Sequence, residues 1–120
     1  MATGDGIFER LTVFAVRTIK LSEALPRSVA GRHIAEQVLR SGTGAGANYE
    51  EARGAESRAD FIHKMGIVLK ELKETRYWLR IAAQAKLVTG KRLEPLIEEC
   101  EELCAITGKS ILTAKKNAKN

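Results

Sequence analysis

A chain of 120 residues, 44% hydrophobic and 29% charged, is long enough to bury a core without staples and too apolar to be wholly disordered. No stretch approaches the roughly 20 apolar residues of a membrane span, and the N-terminus has no signal-peptide core, so a cytoplasmic protein without a membrane partner is expected. The net charge of +5 leans toward a polyanionic partner without requiring one.

Four periodic segments succeed one another along the chain, and the spacing predicts a bundle over residues 7–114, with flexible ends at 1–6 and 115–120. In the first, Ile7, Leu11, Phe14, Thr18, Leu21 and Leu25 recur three and four apart, the mark of an amphipathic helix. Pro26 stops it and Ser28 caps the next. The second segment runs from about Ser28 to about Glu56, with Ile34, Val38, Ser41, Ala45, Asn48 and Ala52 on one stripe. Its glycines Gly42, Gly44 and Gly46 each cost a helix about 1 kcal/mol relative to alanine. The stripe stays in phase on both sides of them, which favours close packing of a neighbouring helix over a break.

Ser57-Arg58-Ala59-Asp60 reads as a capping box opening a third helix, which is expected to run to about Val88 and to break at Thr89-Gly90. The fourth carries Leu93, Leu96, Ile97, Cys100, Leu103, Cys104, Thr107 and Ile111, with Pro95 expected in its first turn. Glu94, Glu98, Glu99, Glu101 and Glu102 make an acidic start that complements the helix dipole. The lysine-rich tail from Lys115 to Asn120 has no apolar stripe. Short connections imply antiparallel neighbours, hence an all-α, up-down-up-down antiparallel four-helix bundle.

The third helix has two apolar faces when its residues are laid out at about 100° each. Phe61, Met65, Val68, Leu72 and Leu79 form the core face, and Arg76 projects from it. Such a guanidinium requires a partner, for which Glu50, Glu51 or a neighbouring subunit's Glu74 are the candidates. Ile67, Trp78, Ile81 and Ala85 form a second patch, roughly 120° or more away. Between the two lies a strip with Lys70, Lys73, Tyr77 and Arg80. Either Ile67, Trp78 and Ile81 meet another subunit, or Trp78 lies on its own bundle, half exposed; the composition of interface cores favours the former.

Catalysis finds no foothold. Gly42-Thr43-Gly44-Ala45-Gly46 lacks both the preceding strand of a dinucleotide fingerprint and the Gly-Lys-Ser/Thr ending of a P-loop. His33 and His63 stand apart, and Cys100 and Cys104 lack further ligands at metal spacing, so they are expected as small, reduced core residues. Glu50 and Glu51 lack the Glu-x-x-His pairs of di-iron bundles. No enzyme activity, metal or cofactor is expected.

Several segments carry a resemblance: Gln37-Val38-Leu39-Arg40-Ser41, Ala47-Asn48-Tyr49-Glu50-Glu51-Ala52, Asp60-Phe61-Ile62-His63-Lys64, and Lys70-Glu71 followed by Glu74-Thr75-Arg76-Tyr77-Trp78-Leu79-Arg80. In order and spacing they resemble the bacterial four-helix-bundle family of 23S rRNA intervening-sequence proteins over nearly the whole chain. The three glycines at 42–46 depart from the Ser, Ala or Ile usual there. The resemblance implies a homopentameric ring. It further implies kinship to the accessory variability determinant proteins of diversity-generating retroelements, which bind nucleic acid and a reverse transcriptase through basic surfaces. Lys70, Lys73, Arg76 and Arg80, with Arg40, are then the expected phosphate contacts. A protein-interaction scaffold with no physiological nucleic-acid ligand is the rival expectation.

Overall fold

Local chemistry sets the breaks between helices in the computed structural model, which describes residues 3–118. Helix α1 (Thr3–Ala24) ends just ahead of Pro26, and Ser28, in extended backbone, caps α2 (Val29–Arg53) by accepting the Gly31 N–H at 3.1 Å. The Pro26 carbonyl then folds so closely over α2 that a Cβ on Gly31 would lie 1.9 Å from its oxygen. At the next break Ser57 accepts the Asp60 N–H at 3.0 Å and opens α3 (Arg58–Gln84). Asp60 completes the box one residue early, accepting the Glu56 N–H at 3.3 Å.

The third break falls earlier than the sequence suggests. Helix α3 ends at Gln84, because Lys86 takes the left-handed conformation, φ 58°, and the chain closes a Schellman turn. In that turn the Lys86 N–H donates to Ala83 O at 3.1 Å and the Leu87 N–H to Ala82 O at 3.0 Å. Gly90 is therefore not the stop. It begins α4 (Gly90–Ala118), whose first bonds run from the Arg92 and Leu93 N–H groups to Thr89 O at 3.0 and 3.3 Å. Pro95 accordingly lies in the second turn, where the missing N–H costs one helical bond on an exposed face.

At the ends, helix extends through residues 3–6 and 115–118, beyond the limits of 7 and 114 expected from the stripes. Lysine and alanine are sound helix formers, and Lys115 and Lys116 suit a helix C-terminus. Residues 1, 2, 119 and 120, the rest of the expected flexible ends, lie outside the described residues.

The helices alternate in direction and pack α1 on α2, α2 on α3 and α3 on α4, with the seam between α1 and α4 the sparsest. The result is the expected four-helix bundle, 51 × 22 × 21 Å. Its core is filled by Leu11, Phe14, Val38, Met65, Leu72, Leu79, Leu93 and Leu103, all wholly buried, with Cys100 and Cys104 among them as free thiols. Helix α2 runs unbroken through its glycines. At Gly42 a Cβ would meet the buried Thr18 side chain at 2.6 Å, so the close-packing explanation holds there. At Gly46 the nearest atom would be 3.7 Å away, an ordinary contact. A polar tie crosses the α2–α3 seam, where Thr75 Oγ1 lies 2.8 Å from Ser41 Oγ and from Glu71 O.

Candidate nucleic-acid interface

Helix α3 sorts its residues by flank. Glu71, Glu74 and Trp78 meet α2, whereas Arg76 and Arg80 turn toward α4. Arg40 of α2 is exposed but engaged: it pairs with Glu71 at 3.4 Å and with Glu74, and donates to Gln37 Oε1 at 3.1 Å. Arg80 Nη2 pairs with Glu101 of α4 at 2.7 Å. Exposed pairs of this kind are worth at most about 1 kcal/mol, so a phosphate could displace either carboxylate. Lys70, Lys73 and Arg76 have no ion pair or hydrogen bond among the described residues. The structure thus divides the five expected phosphate contacts into two engaged cations and three free ones.

Arg76 finds no ion-pair partner within its own chain among the described residues. It is half-buried, and Glu50 is taken by Arg53 at 3.2 Å while Glu74 is taken by Arg40. Its charge acts on the two thiols of α4. The Cys104 thiol is held down to about 7, chiefly by its hydrogen bond with Cys100 and then by Arg76 and Lys73, against desolvation. The same contact and burial push Cys100 up, and its single proton has a competing acceptor in Leu72 O, 3.2 Å from Sγ.

Trp78 departs from the helical projection. It is half-buried against the core of its own bundle, its indole N–H donating to Glu74 Oε2 at 3.3 Å. Its ring meets His33 of α2 edge-on at 5.5 Å and 85°, and Tyr77 at 5.1 Å and 65°. Ile81 likewise packs against the core, and Ile67 is half-buried. The second apolar patch is therefore partly spent within the chain, leaving a smaller area for a neighbour than the projection implied.

Sequence reasoning missed two features. The outer face of α1 exposes Val13, Val16 and Ile19, legible in principle because they fall opposite Leu11 and Phe14 at helical spacing. The acidic residues of α4 do more than complement a dipole. Because α4 begins at Gly90, Glu99 and Glu102 lie well beyond its first turn, and both pair with Arg10 of α1, at 2.7 and 2.9 Å. Only their i, i+3 spacing on α4 hinted at a shared partner.

An all-helical bundle whose charged side chains tie helix to helix, and in which no described helix is long and apolar enough to cross a membrane, defines the class. Residues 6–109 match the model of the family described as 23S rRNA-intervening sequence protein, and the chain belongs to that family. Among solved structures it is similar to a protein of unknown function from the S23 ribosomal protein family of Bacteroides thetaiotaomicron VPI-5482. That likeness has 36% identity and a TM-score of 0.82, covering 88% of this chain and 97% of the other. No curated protein matches.

Proposed function

We propose that this is a non-enzymatic accessory protein of the cytoplasm that assembles as a homopentamer and binds RNA or DNA through a basic surface. Where the gene accompanies a diversity-generating retroelement, its protein partner is the reverse transcriptase. The observation that carries this reading is the set of three cations on α3, Lys70, Lys73 and Arg76, that have no carboxylate partner among the described residues. Tyr77, 56% exposed beside them, offers an aromatic face to a base. Such contacts release counterions, so affinity for a nucleic acid should fall steeply as salt rises.

A filter-binding titration of single-stranded RNA at two salt concentrations tests it. Lys70→Gln with Lys73→Gln should shallow the dependence of log affinity on log salt by about 1. Absent or salt-insensitive binding overturns the reading. Light scattering tests assembly, and a particle of 13.2 kDa, the mass of one chain, would remove the pentamer. The scaffold alternative draws on Val13, Val16 and Ile19, exposed on α1, as a surface for protein contact. It is favoured if charge reversal at Lys73 and Arg80 abolishes capture of a protein partner while RNA binding persists.

A further inference from the structure

The pole of the bundle where α1 ends and α4 begins concentrates cations that lie far apart in sequence. Arg17 and Lys20 of α1 and Arg92 of α4 line one groove of about 170 Å³, floored by Leu21, Leu93 and Leu96. Arg92 also lines an adjoining groove of about 640 Å³, together with Lys86. The two grooves share Arg92: the smaller lies on the sparse α1–α4 seam and the larger beside the α3–α4 turn, and together they form one track. None of the four charged side chains forms an ion pair or hydrogen bond among the described residues. The contrast with the middle of the same seam is sharp, since there Arg10 is held by two carboxylates.

We infer that this track is a binding site for the phosphodiester backbone of a nucleic acid, with Arg17, Lys20, Lys86 and Arg92 as its phosphate contacts. The inference rests on the nucleic-acid reading above and adds this pole to the α3 strip as a second row of phosphate contacts. Three features specify the ligand. Four unpartnered cations strung along a groove match a row of phosphates rather than a single anion. No aromatic side chain lines either groove, so nothing there stacks on bases or reads them, and contact is sequence-blind. Lys86 lines the larger groove from a left-handed backbone conformation that most side chains disfavour, and so adds a cation where glycine would be the usual residue.

The test compares a homopolymeric single-stranded RNA, titrated across a salt series, on wild-type protein and on the combined variant Arg17→Gln, Lys20→Gln and Arg92→Gln. The expected result is a loss of affinity of tenfold or more at low salt. The slope of log affinity against log salt should become shallower by about 2. Lys20→Gln alone, at an exposed position that leaves the core untouched, should shallow the slope by less than about 1. A triple variant that titrates like wild type while RNA still binds overturns the pole and leaves the parent reading standing. Wild-type protein that binds no RNA overturns both. Binding to anionic phospholipid vesicles through these cations, without RNA affinity, overturns the nucleic-acid assignment and makes the track a membrane-surface contact.

Discussion

The seams between sequential helices and the seam that closes the bundle are built on different principles. Where α1 meets α2, the backbones approach until only a glycine fits, with Gly42 against Thr18. Where α2 meets α3, Ser41 and Thr75 share a buried hydrogen bond and Arg40 is tied to Glu71 and Glu74 outside it. Between α1 and α4, by contrast, packing is sparse; the Arg10 clamp on Glu99 and Glu102 ties the two helices, with a groove beyond it. Tight seams fix the register of the fold where Gly42 meets Thr18 and Ser41 meets Thr75. The loose seam is sparsely packed and, beyond the Arg10 clamp, leaves Arg17, Lys20 and Arg92 without a carboxylate partner among the described residues.

Substitution can break that contrast or sharpen it. The largest effect is expected in a tight seam, for Gly42→Ala. The new methyl would lie 2.8 Å from Thr18 Cβ, which no rotamer change can move away. The clash should outweigh the gain in helix propensity and lower stability by about 2 kcal/mol in chemical denaturation. Gly46→Ala, with its nearest contact at 3.7 Å, should instead gain about 0.5–1 kcal/mol. If both variants lose stability alike, the distinction between the glycines fails.

Thr75→Val comes next. It keeps the side-chain shape but deprives Ser41 of its donor, for an expected cost of about 1 kcal/mol by the same measurement. Lys86→Gly, at the edge of the loose seam, should raise stability by about 0.5–1 kcal/mol, because glycine relieves the left-handed strain. The smallest global effect belongs to Arg10→Ala, about 0.5 kcal/mol for a partly exposed pair. Its signature is local: amide exchange should quicken in α1 and α4 while α2 and α3 keep their protection. Uniform quickening across all four helices would show that the closing seam is as cooperative as the others.

The fold was legible because its information is local and periodic. The apolar stripes of α1, α2 and α4, the caps at Ser28 and Ser57 and the stop at Pro26 each depend on residues within one turn of one another. The end of α3 was not, because its left-handed residue is Lys86, where sequence statistics point to glycine, and the nearby Gly90 serves to start the next helix. Within the candidate site, helical angle alone placed Lys70 and Lys73 at the surface but could not say which cations were already satisfied. That depends on which carboxylates the neighbouring helices bring across, as Glu74 of α3 does for Arg40 and Glu101 of α4 for Arg80. Trp78 likewise needed the position of His33 on α2. The cations of the pole were invisible for the opposite reason: Arg17 and Arg92 are unremarkable in their own segments, and only the antiparallel course of α1 and α4 unites them.

That antiparallel course has a practical consequence. Ile7, near the start of α1, and Asn117, near the end of α4, line the same hollow, together with Arg58 at the start of α3. Both ends of the described chain therefore emerge at one pole of a molecule 51 Å long, and Lys86, Arg92 and the α3–α4 turn occupy the other. A surface tether or fluorophore attached through either terminus would leave the cationic pole pointing outward and unobstructed. Immobilised in this way, the protein presents one defined face to whatever is flowed over it.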